Sequence, residues 1–72
     1  MTKTTTLVEN HLLKIGDFVG FKCDIEQTGR IMAITRGPRG DVLELYRPNG
    51  FDGGYIGGET TTYQDARDCW VV

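Results

Sequence analysis

The chain has 72 residues and a net charge of −2. This length is enough for one small domain but too short for a deep catalytic cleft within a single subunit. Ten glycines and nine threonines, against two prolines, favour strands and turns over helices. The weak negative charge argues against strong nonspecific binding to phosphate backbones, and the absence of serine excludes a serine nucleophile. Composition therefore predicts an all-β domain.

The first 13 residues are predicted to form a short arm or helix beside the main domain, which spans residues 14–72. Residues 1–6 are polar and rich in threonine, so we expect a frayed end. The stretch Thr6-Leu7-Val8-Glu9 fits a helix capping box, in which a threonine and a glutamate satisfy each other's backbone amides. A helix this short is marginal on its own, and an extended arm is the alternative.

Five strands are predicted after this segment. The first follows the turn Gly16-Asp17 and alternates cleanly from residue 17 to residue 23. The others cover residues 28–35, 42–47, 59–63 and 69–72, with a polar loop at 24–27 and one helical or 3₁₀ turn at 64–68. In the second strand Ala33 is predicted to face inward and Met32 outward, and the direction of Ile34 stays open if a bulge intervenes. The predicted core contains Val19, Phe21, Ile31, Leu43, Leu45 and one of Trp70 or Val71.

The order of these elements resembles that of the SH3-like small barrels. The resemblance covers about residues 14–72 and is carried by Gly16-Asp17-Phe18-Val19-Gly20-Phe21 and then Gly29-Arg30-Ile31. It implies a five-stranded SH3-like barrel in which the first and last strands are neighbours. Many unrelated modules share this motif, including nucleic-acid-binding barrels and peptide readers, so the resemblance predicts a fold rather than a function.

The element order is also similar to that of the plasmid-borne type II dihydrofolate reductases, short chains that build one active pore from four subunits. In that family a lysine follows the Gly-Asp-x-Val motif, and a Val-Gln-Ile-Tyr stretch lines the pore. This chain has Lys22, one place beyond the expected lysine, and it reads Thr60-Thr61-Thr62-Tyr63 at the tetrapeptide. Only Tyr63 is retained, so the groups that would hold cofactor and substrate are missing. An oligomeric enzyme of this type is the third-ranked interpretation.

The remaining chemistry-bearing residues do not form a recognisable site. Cys23, Cys69 and His11 lack the close spacing of structural zinc ligands, and we expect both cysteines to be reduced and to face the core. We predict no metal, no cofactor and no catalytic residue. Apolar runs are only a few residues long and no secretory signal is recognisable, so we expect a cytoplasmic protein without membrane contact.

The predicted outer face of the sheet carries the strongest indication of function. Alternation places aromatic and arginine side chains together on it, where they would bind a protein partner or a second copy of the chain. The proposed partner-binding residues are Phe18, Arg30, Met32, Tyr46, Phe51 and Tyr55, with Trp70 nearby. Gly20, beside Phe18, leaves room for another backbone or a ring to approach closely.

The first-ranked function is therefore a non-enzymatic binding module that acts through protein–protein contacts or self-association. Small size and weak charge suit an accessory protein of a phage or mobile element that modulates a host factor. The alternative is a barrel that binds RNA or single-stranded nucleic acid. For that alternative the contact residues are Arg30, Arg36, Arg39 and Arg47, which give residues 30–47 a local positive charge.

Overall fold

The computed structural model describes residues 2–72, which form eight β-strands and one turn of 3₁₀-helix. The strands are β1 (Thr2–Lys3), β2 (Thr5–Val8), β3 (His11–Lys14), β4 (Phe18–Cys23), β5 (Ile25–Gly37), β6 (Gly40–Tyr46), β7 (Thr61–Asp65) and β8 (Trp70–Val71). The 3₁₀-helix, Ala66–Asp68, lies where a helical or 3₁₀ turn was predicted. The prediction of a mostly β fold is confirmed. Met1, part of the predicted frayed end, lies outside the described residues.

The main sheet has six strands and is organised around the 13-residue strand β5. The order along its main path is β7-β6-β5-β4-β8, and every pairing is antiparallel. The first part of β5 pairs with β4 and the second part pairs with β6, while β1 pairs with β5 at Ile34 and Thr35. The last strand returns to the first strand of this meander, with Val71 opposite Val19. Among residues 2–72, β7 and β8 do not pair with each other, so the path stays open.

A β-bulge between Ile31 and Ala33 divides β5 into two halves. Gln27, Gly29 and Ile31 point inward before the bulge, and Ile34 points inward after it. Ile31 and Ile34 are both fully buried, Ala33 is half-buried, and Met32 between them is exposed. The bulge thus directs Ile34, rather than Ala33, into the core.

The core lies between the two parts of the sheet and the N-terminal hairpin. Its buried apolar members are Val8, Val19, Phe21, Ile31, Ile34, Leu43, Leu45, Phe51, Ala66 and Cys69. The five core positions predicted in the first three strands of the meander are all confirmed. At the closing strand, Val71 packs against this cluster while remaining partly exposed. Neither cysteine forms a disulfide, and Cys23 also packs against the cluster.

The N-terminal helix prediction is wrong, because residues 5–14 form a two-stranded hairpin. Glu9 and Asn10 form its turn with φ angles of 52° and 65°, the left-handed conformation that two-residue hairpin turns require. Alternation along β2 buries Thr6 and Val8 and exposes Leu7. Thr6 therefore does not cap a helix: its hydroxyl donates to Asp41 Oδ2 at 2.7 Å, which anchors the hairpin on β6.

Candidate functional site

Three predicted partner-binding residues form one row across the outer face of the sheet. Phe18 on β4 lies opposite Arg30 on β5, and Arg30 lies opposite Tyr46 on β6. Residues that face each other in antiparallel ladders project to the same side. The guanidinium-bearing side chain of Arg30 therefore lies between two aromatic side chains, and Phe18 is 55% exposed.

A groove of about 270 Å³ follows this row, and we refer to it as the outer-face groove. Its lining residues are Phe18, Thr28, Gly29, Arg30, Tyr46, Arg47 and Pro48. Thr28 shares the face of Arg30 because the two are separated by two positions on one strand. Arg47 and Pro48 follow the end of β6 and close one side. The alternation of residues along β5 indicates that Thr28 faces outward beside Arg30. No local pattern in the sequence indicates that Pro48 lines the groove.

The two arginines of the groove have different surroundings. Arg47 Nη1 lies 3.6 Å from Asp52 Oδ2 and donates to Gln27 Oε1 at 3.5 Å, so intramolecular partners hold this side chain. Within residues 2–72, no carboxylate oxygen lies within ion-pair distance of Arg30. No carboxylate side chain lines the groove itself. Arg30 is thus the cation that an acidic ligand would meet.

Trp70 covers the part of the outer face next to the groove. It pairs with Gly20 in the β4–β8 ladder, and a β-carbon added at Gly20 would collide with the indole ring. The close approach predicted at Gly20 is therefore made by a ring of the same chain. This packing borders the row at Phe18, which is on the same face of β4 two residues away.

The prediction that Phe51 belongs to the exposed surface is wrong. Phe51 is only 2% exposed, and its ring packs edge-to-face against Phe21 with centroids 5.6 Å apart. Gly29 makes room for this ring, since a β-carbon there would lie 3.2 Å from the Phe51 ring and 2.9 Å from Leu45 Cβ. Tyr55, from the same loop, is 80% exposed. Neither Tyr55 nor Met32 lines the groove.

The glycine-rich loop that follows Phe51 is tied to the β4–β5 turn. Residue 24 alone turns the chain between these strands, with φ of 71°, so the predicted polar loop at 24–27 is shorter than expected. The Asp24 carboxylate accepts a hydrogen bond from the Gly54 amide at 2.7 Å. The buried side chain of Gln27 binds the backbone of Asp52. These bonds fix the loop that carries Asp52, the ion-pair partner of Arg47.

The four arginines of the nucleic-acid alternative do not lie on one face. Arg30 and Arg47 line the outer-face groove, whereas Arg36 and Arg39 lie near the β5–β6 turn. Arg36 lies opposite Asp41 in the β5–β6 ladder. Asp41 is two positions from the buried Leu43 on β6, so Asp41 and Arg36 project to the same side of the sheet as Leu43. The bulge in β5 has turned Arg36 to the opposite side of the sheet from Arg30. Of the four arginines, Arg30 and Arg47 therefore line the outer-face groove.

The other reactive groups are held in structural settings. Burial, reinforced by the charges of Asp68 and Asp65, raises the pKa of the Cys69 thiol to about 12, so it stays protonated at neutral pH. Its Sγ donates to the Asp65 carbonyl oxygen at 3.4 Å.

In the part of the chain that the structure describes, no three His, Cys, Asp or Glu side chains converge as metal ligands. No helix among residues 2–72 has the length and apolar character to cross a bilayer.

Comparisons of the chain with protein-family models, curated proteins and solved structures give no match. A function for this site is therefore argued from the groove, its two aromatic side chains and the charge of Arg30.

Proposed function

We propose that this chain is a non-enzymatic binding module of SH3-like architecture whose outer-face groove binds an extended protein segment. The architecture is supported by the strand order, in which four strands form a meander and a fifth returns through a 3₁₀ turn to pair with the first of them. That is the order that the resemblance to SH3-like barrels implies. The function is carried by one observation, the cross-strand row of Phe18, Arg30 and Tyr46.

The composition of the groove defines the chemistry of its ligand. Phe18 and Tyr46 offer apolar ring surface, and Arg30 offers a guanidinium group whose charge no neighbouring carboxylate balances. Aromatic and arginine side chains contribute most of the binding energy in many protein interfaces. We infer that the preferred segment presents an apolar or aromatic side chain next to an aspartate or glutamate. The glutamate or aspartate would pair with Arg30, and the apolar side chain would pack on Phe18.

A display library of random peptides, selected against the immobilised chain, tests this proposal. We expect the selected peptides to contain an acidic residue close to an apolar one, and to shift the backbone amide signals of residues 18, 28–30, 46 and 47 in NMR spectra. Phe18→Ser and Arg30→Gln should each weaken binding at least about tenfold, as truncation of an interface anchor does. Tyr63→Ser is the matched control, since Tyr63 is exposed on β7 outside the groove.

Binding of single-stranded nucleic acid is the second candidate, because Arg30 and Arg47 share the groove with two rings on which bases would stack. The two candidates differ in their response to salt. Phosphate contacts make affinity for an oligonucleotide fall steeply as salt rises. A peptide that binds through one acidic group and apolar packing depends on salt far less. Oligonucleotide binding that is lost in Arg30→Gln and stronger than that of any selected peptide would replace the protein-binding proposal.

A further inference from the structure

A second cavity, which we call the cationic cavity, lies at the other end of β6 from the outer-face groove. Its volume is about 230 Å³, and it forms where β1, β2, the β5–β6 turn and the 3₁₀-helix meet. Three cationic side chains line it, from Lys3, Arg39 and Arg67, together with one carboxylate, from Asp41. These residues come from four separate elements, so only the folded chain brings them together.

The single carboxylate of this cavity is already fully engaged. Lys3 Nζ donates to both oxygens of Asp41, at 3.1 Å and 2.9 Å, and the Thr6 hydroxyl donates to Oδ2 at 2.7 Å. Arg36 lies opposite Asp41 in the β5–β6 ladder and adds a further positive charge. Lys3 therefore compensates Asp41, and the positive charge that remains at the cavity comes from the two arginines.

Arg39 and Arg67 have no such compensation. Within residues 2–72, no carboxylate lies within ion-pair distance of either guanidinium group. Asp65 and Asp68 are near Arg67 in the sequence, but neither lines the cavity. Arg39 lies in the two-residue turn between β5 and β6, and Arg67 lies on the 3₁₀-helix. Leu7 and Ala66 also line the cavity and supply an apolar part of its wall.

We propose that the cationic cavity binds a doubly charged phosphate group between Arg39 and Arg67. The planar donor pattern of a guanidinium group matches the oxygens of phosphate, and two such groups provide the charge of a phosphate dianion. The side chains of Leu7 and Ala66 would contact the carbon atoms of a phosphate ester. This site is separate from the outer-face groove and does not depend on the function proposed for it.

An NMR titration of the full chain tests the proposal, with inorganic phosphate in one arm and O-phosphoserine in the other. We expect saturable shifts of the backbone amides of Gly40, Asp41 and Arg67 in at least one arm. Tighter binding of O-phosphoserine identifies a phosphate ester as the ligand, and equal or weaker binding identifies free phosphate. Arg39→Gln and Arg67→Gln should each weaken binding about tenfold, as loss of a charge-assisted hydrogen bond does. Arg30→Gln, in the outer-face groove, should leave the affinity unchanged.

Asp41→Asn provides a second measurement with the opposite sign. The substitution removes the negative charge from the cavity wall and keeps an oxygen that can accept from Thr6, so phosphate should bind more tightly. The absence of saturable shifts in both arms would overturn the proposal. So would an affinity that Arg39→Gln and Arg67→Gln leave unchanged, or one that Arg30→Gln lowers equally.

Discussion

The side-chain amide of Gln27 forms two hydrogen bonds with the backbone of Asp52. Gln27 Nε2 donates to the Asp52 carbonyl oxygen, and Gln27 Oε1 accepts from the Asp52 amide, each at 2.9 Å. Gln27 is buried on β5, and Asp52 lies 25 positions further along the chain. One side chain of the sheet thus satisfies both polar groups of a loop residue, and the neighbouring Phe51 is held with its ring against Phe21.

Gln27→Leu should therefore destabilise the chain although it replaces a polar residue with an apolar one. The substitution leaves the amide and carbonyl groups of Asp52 without their partners, which should lower the free energy of unfolding by about 2–4 kcal/mol. Urea unfolding followed by circular dichroism measures this loss. Glu26→Gln, at the exposed neighbouring position, should change the stability by less than about 0.5 kcal/mol. Equal effects of the two substitutions would contradict the proposed anchoring.

Phe51→Ala and Tyr55→Ala compare two aromatic residues of the same loop. Phe51 is buried against Phe21, so its truncation should cost about 3–5 kcal/mol of unfolding free energy. Tyr55 is exposed, and its truncation should change stability by no more than about 0.5 kcal/mol. Chemical denaturation of the two variants in parallel checks the comparison, and a small loss for Phe51→Ala would place this ring outside the core.

Gly20→Ala should displace the indole ring of Trp70, because the added methyl group occupies the space that the ring fills. Overpacking of this kind lowers stability by about 1–3 kcal/mol. Trp70 is the single tryptophan, so its fluorescence emission should shift to longer wavelength as the ring becomes more exposed to water. Lys22→Ala, on the same face of β4, is the control and should leave the spectrum unchanged. An unaltered spectrum for Gly20→Ala would show that the ring does not pack there.

Asp41 should make stability depend on pH in the acidic range. Partial burial acts to raise the pKa of its carboxyl group, but hydrogen bonds from Thr6 and Lys3 and the charges of Lys3 and Arg36 outweigh it, so the pKa lies below its ordinary value. A lowered pKa means that the ionised form stabilises the fold. This contribution is complete above the ordinary pKa of about 4 and is lost as the pH falls through the lower folded value.

Asp41→Asn should consequently lower the free energy of unfolding at pH 7 by about 1.5–3 kcal/mol, the range for hydrogen bonds to a charged group. Thermal unfolding at a series of pH values should show this difference shrinking once the pH drops below about 4. Asp52→Asn serves as the control, since the Asp52 side chain is mostly exposed. A difference that stays constant down to pH 2 would mean that the Asp41 charge contributes nothing.

The alternation of side chains along the strands was enough to predict the buried residues of β4 and β6 and the row across the outer face of the sheet. Val19 and Phe21 on β4, and Leu43 and Leu45 on β6, stand at alternate positions of their strands, and the structure buries all four. The same period of two placed Phe18, Arg30 and Tyr46 together. The N-terminal hairpin was missed because Thr6 and Glu9 fit a capping box, whereas their actual roles depend on Asp41 and on the Val71 amide, which donates to Glu9 Oε1 at 2.7 Å.

Features that depend on distant residues could not be predicted in this way. The loop around Phe51 has no hydrophobic period, and the residue after Phe51 exchanges hydrogen bonds with Gln27, which is 25 positions earlier in the chain. Arg39 and Arg67 are 28 positions apart in the sequence, and only the packing of the 3₁₀-helix against β6 and β2 brings them to one cavity. Contacts between residues this far apart in the chain leave no local pattern in the amino-acid sequence.

The bulge at Met32 limits how the length of this chain can change during evolution. Gln27, Gly29 and Ile31 are inward-facing before the bulge, and Ile34 is inward-facing after it. Removing one residue from either half while the bulge is kept would turn part of β5 inside out, exposing its apolar side chains and burying its charges. Removing Met32 or Ala33 would only abolish the bulge, because Ile31 and Ile34 would then be two positions apart and would both face inward. We expect natural variants of this chain to keep the number of residues on each side of the bulge constant, and to differ in the length of β5 only at the bulge itself.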